Sequence, residues 1–169
     1  MLDGLSDELG MSSTMRGYQI YLSASHAFRS LIEARLDQNH VEILYPIWQY
    51  RRLARLIEED LADLSVPIPT CVAREFVLPM SAGAMLGTLY VLEGSALGAK
   101  VIARRVAGFG LGPRFGARHL AHQTDNPRAW PEFVDLLEEI SLTGEEEDDC
   151  VQEARATFDC FARFLAPVV

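Results

Sequence analysis

The stretch from Ser81 to Ala103, SAGAMLGTLYVLEGSALGAKVIA, restricts the fold more than any other part of the chain. It is apolar on nearly every side, and only Glu93, Lys100 and several glycines interrupt it. A helix without a polar face belongs either in a protein core or in a membrane. The interruptions favour the core. A buried central helix, predicted to run from Met80-Ser81 to about Ala107, needs amphipathic neighbours to cover it.

The rest of the chain supplies such neighbours. Tyr18, Leu22, Ser25, Phe28, Ile32 and Leu36 recur at spacings of three and four, with Ser13 or Thr14 as cap and Asn39 as stop. Ile47, Tyr50, Leu53, Ile57, Leu61 and Leu64 predict a second helix beginning near Pro46. The prolines of Ser65–Thr70 end it. Beyond the GFGLGP loop, Gly116 to His122 predicts a short helix, and Phe133, Leu136, Leu137 and Ile140 a further one. Thr143 followed by Glu146 has the spacing of a capping box, and the acidic run Glu145–Asp149 suits a helix N-terminus. Val151, Ala154, Phe158, Phe161 and Leu165 carry the last helix. No segment alternates with a period of two. The fold class is all-α: a short polar segment over 1–13, then one helical domain over 14–169.

A net charge of −9 argues against nucleic acid and anionic membrane surfaces, because both are bound through basic footprints. It suits a basic face on a protein partner. Cys71, Cys150 and Cys160 form no CxxC pair and are expected as packed, reduced thiols of a cytoplasmic protein. The opening MLDGLSDELG lacks the basic and apolar regions of a signal peptide. His119 and His122 have the i, i+3 spacing of paired ligands but no evident third ligand. Glu33 and Glu93 complete an imaginable diiron set with them, without the Glu-x-x-His spacing such a site uses.

Tyr90–Ile102, YVLEGSALGAKVI, places Gly94 and Gly98 inside an otherwise strong helix. Each costs about 1 kcal/mol relative to alanine. Close approach of another body, either a helix or a flat ligand, accounts for such glycines. The segment resembles the distal helix of heme oxygenases, especially the bacterial type that makes biliverdin for bacteriophytochromes. Gly17–Glu33, Arg52–Leu61 and Ala154–Phe158 resemble other helices of that family in the same order, so the likeness spans about residues 15–165.

The resemblance implies a heme oxygenase-like bundle with Gly94, Ser95 and Gly98 against the heme. It also implies two departures. The family's iron-ligating histidine lies on a helix before the one matching Tyr18 onward, and residues 1–13 hold no histidine. The family's propionate-pairing cations have no counterpart in Pro131–Ile140, where Glu132, Asp135, Glu138 and Glu139 stand; Arg128 is the nearby cation. The expectation is a degenerate member that has lost heme, holds no cofactor or metal, and has no catalytic residue. It would act as a regulatory protein through a protein partner or another ligand, in two-component signalling, with a homodimer formed through the open groove. The alternative is a biliverdin-forming heme oxygenase that keeps heme on a non-standard ligand, with His26 as the candidate.

Overall fold

In the computed structural model the described residues are 13–69 and 79–166. The segment 1–13 therefore falls outside them apart from Ser13, as does Cys71; Cys150 and Cys160, both half-buried, are not joined in a disulfide.

Helix α1 spans Met15–Gln38. Thr14 caps it, its hydroxyl accepting from the Gly17 amide at 3.0 Å. Asn39 ends it and ties the end to the next layer, its side-chain oxygen accepting from the Met80 amide at 2.8 Å. Both limits are those the sequence predicts.

The second predicted helix is corrected. Its first part holds a 3₁₀ turn, Trp48–Tyr50, a second such turn at Val41–Ile43 precedes it, and only Ala54–Asp63 is α-helical (α2). Two side chains tie the irregular part to α1 and to the central helix. Trp48 Nε1 donates to Asp37 at 2.7 Å, and Arg51 forks onto Glu93 at 2.7 and 3.1 Å. The N-cap position of α2 is Leu53, which offers no capping side chain. Glu33 of α1 replaces it: its carboxylate accepts from the Leu53 amide at 2.8 Å and the Ala54 amide at 3.3 Å.

The central apolar helix is also corrected, because it is two helices, α3 (Ala82–Gly94) and α4 (Ala96–Ala107), broken at Ser95. Ala82–Ala107 is long and apolar enough to cross a membrane, yet half of its most apolar window is buried within the protein. Three further helices follow: α5 (Arg118–Gln123), α6 (Ala129–Glu139) and α7 (Gly144–Leu165). The capping box at α7 is present, with Glu146 N donating to Thr143 Oγ1 at 3.3 Å and Thr143 N donating to Glu146 Oε2 at 2.9 Å. Thr143→Ala is expected to lower stability by about 1 kcal/mol, read as a lower urea midpoint at constant slope.

Helices α3 and α7 nearly touch. A Cβ on Gly83 would overlap the carbonyl oxygen of Glu146, and one on Gly87 that of Cys150. Ser81 both caps α3, accepting from the Ala84 amide, and donates to Asp149 of α7 at 2.6 Å. The apolar core falls into two main clusters. Phe28, Ile32, Leu36, Trp48, Leu86, Leu89 and Phe133 form one cluster; Tyr18, Leu22, Leu53, Ile57, Leu61, Val106 and Leu120 form the other.

Candidate functional site

A cavity of about 260 Å³ is bounded by α1, the α3–α4 break, α5 and α7. One side is apolar, with Phe28, Leu53, Ile57, Val91, Ile102, Phe158 and Phe161. The other carries Ser25, Arg29, Ser95, His119 and Gln123, and Arg105 also lines it. An apolar pocket with a few convergent polar groups is the usual form of a small-molecule site.

The break at Ser95 is held from three directions. Ser95 Oγ donates to the Leu92 carbonyl at 2.6 Å and accepts from Gln123 Nε2 at 2.5 Å. Arg29 Nη2 reaches the same carbonyl at 3.4 Å and the same hydroxyl at 3.5 Å. Ser95 and Gly98 then face the cavity. Nothing lies within 4 Å of where a Gly98 Cβ would stand, so that backbone is open to whatever enters. Gly94 is different. Its missing Cβ leaves room for the Trp130 ring, 3.3 Å away, which stacks edge-on with Tyr90. Of the two glycines singled out in the sequence, one serves a neighbouring side chain and the other the cavity.

His119 is 1% exposed. Its Nδ1 lies 2.7 Å from Asp60 Oδ2, and its Nε2 is buried without a hydrogen-bond partner. Facing a carboxylate, Nδ1 carries the proton, so the neutral ring presents the Nε2 lone pair. Burial lowers the His119 pKa below the ordinary histidine value, against the opposing pull of the Asp60 hydrogen bond, so the neutral ring prevails. Asp60 also accepts from the amides of Arg118 at 2.9 Å and His119 at 3.1 Å. It therefore caps α5 and fixes the imidazole together. A ring nitrogen oriented by a carboxylate, with the other nitrogen left over, is a group prepared for a ligand, a metal or a water.

The remaining candidates go elsewhere. His26 does not line the cavity; its Nε2 is 3.0 Å from Glu58 and 3.3 Å from Ser30, joining α1 to α2. His122 is turned away from His119 and donates from Nε2 to the Tyr50 carbonyl at 2.7 Å. Glu33 and Glu93 are committed to backbone amides and to Arg51. Among the described residues no group of three or more His, Cys, Asp or Glu side chains could hold a metal ion. Sequence reasoning missed Arg29, Asp60 and Gln123. The buried face of α1 carries Arg29 at helical spacing from Ser25 and Ile32, and a cation on such a face is the one signal that could have found it.

A family model described as heme oxygenase matches residues 4–166. The heme oxygenase PigA of Pseudomonas aeruginosa is 32% identical over 146 residues, which is 86% of this chain and 74% of that protein. A heme oxygenase of Xanthomonas campestris pv. campestris is 30% identical over 149 residues, 88% of each. A crystal structure of the NO- and CO-bound heme oxygenase from Neisseria meningitidis superposes with a TM-score of 0.83 at 24% identity, covering 97% of this chain and 82% of that one.

These likenesses overturn the expectation of a degenerate member that has given up heme and catalysis for a regulatory role. Relatives matching over most of the chain carry the name heme oxygenase, and none points to signalling. The two physical grounds for loss also fail. Where the chain begins says nothing about activity. The acidic residues of α6 do not line the cavity, whereas two arginines, Arg29 and Arg105, do.

Proposed function

We propose that this chain, which belongs to the heme oxygenase family, binds heme at the cavity and oxidises it to biliverdin with molecular oxygen and a reductant. The cytoplasmic setting expected from the sequence accords with that reading. The observation that carries it is the cavity's make-up: an apolar side, an open helix backbone at Gly98, and the orphaned Nε2 of His119.

These residues fit heme. Ser95, Gly98, Ile102, Phe158 and Phe161 would meet the flat apolar macrocycle, and Arg105 would pair with its carboxylates. When bound, heme supplies redox-active iron and is itself the molecule consumed. The protein's own groups do the positioning. The aromatic and aliphatic side excludes water, which strengthens every polar contact inside. Asp60 holds the His119 ring so that Nε2 offers a hydrogen-bond acceptor within the cavity. Gln123 and Ser95 keep the helix broken so that its backbone stays accessible.

Heme titration of the purified protein, followed by absorbance, tests this. The expected result is a Soret band saturating at one equivalent, followed by its decay and the growth of biliverdin absorbance when reductant is added in air. Absence of a saturable Soret band would reject the reading.

A further inference from the structure

Arg29 is a cation with little to hold it. It is 6% exposed and lines the cavity beside Ser95. Its hydrogen bonds to the Leu92 carbonyl and Ser95 Oγ are 3.4 and 3.5 Å, and Glu33 lies 3.8 Å from its Nη1. All are longer than an ordinary N–H···O bond. Both carboxylates that could neutralise it have closer partners. Glu33 takes the Leu53 amide at 2.8 Å, and Glu93 takes Arg51 at 2.7 Å. A guanidinium has five donors and keeps its charge when buried. Several donors thus remain for something in the cavity.

We propose that Arg29 is a specificity-determining residue: its guanidinium donates hydrogen bonds to a small anion held in the cavity beside Ser95, and so favours anionic over neutral ligands there. This rests on the heme-binding reading. Were heme bound, its iron would be the anion's other partner; Ser95 does not compete as a donor, because its one O–H goes to the Leu92 carbonyl, and Gln123 gives one amide hydrogen to Ser95. His119 does not compete either, since its Nε2 is an acceptor.

The test loads the protein with ferric heme and titrates fluoride, then imidazole as a neutral ligand. Arg29→Gln is expected to weaken fluoride binding about tenfold or more, the worth of one charge-assisted hydrogen bond, and to leave imidazole binding unchanged. Equal fluoride affinity in wild type and a folded Arg29→Gln would overturn the proposal. Should Arg29→Gln fail to fold, the wild type decides. The iron–fluoride stretch in resonance Raman is expected to shift in D₂O, and no shift would mean that no donor reaches the anion. A wild type that gives no Soret band at all would instead overturn the heme reading, and this inference with it.

Discussion

Gly87→Leu is expected to destabilise the protein by about 2–3 kcal/mol, at the upper end of what overpacking costs. At this chain length that lowers the midpoint of thermal unfolding by roughly 5–10 °C. The reason is the identity of the obstacle. A Cβ at position 87 meets the carbonyl of Cys150 and the amide of Ala154, which are backbone atoms of α7 and cannot rotate aside. Helices α3 and α7 must separate, and Ser81, which bonds to Asp149 across the same seam, is strained with them. Leucine is a better helix former than glycine, but that gain is below about 1 kcal/mol and does not compensate. Gly98→Ala is the matched control. With nothing within 4 Å of its added methyl group, it is expected to stabilise the unliganded protein by a few tenths to about 1 kcal/mol. Thermal melts of the two variants by circular dichroism check both signs. Equal shifts would mean that the α3–α7 contact is not set by the glycines.

Those opposite signs also show what a single sequence conceals. The buried helix, its neighbours, the cap at Thr14 and the capping box at Thr143 are written locally, in spacing and in side chains within four residues of the feature they make. The misplaced second helix lacks a local start signal, and it is not alone in having no cap of its own. Leu53 and Ala117 stand at the N-cap positions of α2 and α5, and neither has a capping side chain. Glu33 of α1 and Asp60 of α2 supply the missing acceptors, 20 and 58 residues away in sequence. Nothing near Leu53 announces a helix start, so the stripe from Ile47 reads as one helix. Likewise, glycines in the central helix read as one class. The structure separates them into two that admit α7 (Gly83 and Gly87), one that admits Trp130 (Gly94) and one that faces open space (Gly98).

The site follows the same division. Ser95 and Gly98 were legible because a family resemblance passes through them. The polar side of the cavity was not, because it is assembled from α1, α4 and α5 by distance alone. His119 looked like half of a surface pair with His122, yet α5 turns one ring into the core and the other toward Tyr50. The acidic face of α6 looked like a barrier to heme carboxylates, yet no residue of α6 lines the cavity. Both misreadings took proximity in sequence for proximity in space. The conclusion that activity was lost rested on such local readings, and the likeness along the whole chain outweighs them.

Asp60→Ala is expected to have the largest effect, about 3–5 kcal/mol, because several buried donors lose one charged acceptor at about 1–3 kcal/mol each. Asp60 is fully buried and accepts from His119 Nδ1, from the Arg118 and His119 amides and from the Arg118 guanidinium. Its loss leaves the first amides of α5 uncapped and a buried imidazole N–H unpaired. Arg118 alone keeps a second partner, in Asp63. Asp60→Asn, which retains one carbonyl acceptor, is expected to cost less. The same pair gives the protein an acid limit. His119 is held below the ordinary value of 6.5 in the folded state by burial, so the unfolded chain binds the proton first. The stability this contributes is complete above that value and falls as pH drops below it, by at most about 1.4 kcal/mol per pH unit for one proton. Urea midpoints at pH 7.5, 6.5 and 5.5 are expected to decline more steeply in wild type than in His119→Gln, which has no ring to protonate. Parallel declines would mean that His119 takes up its proton equally in both states. The neutral acceptor assigned to the cavity would then be the wrong form of the ring.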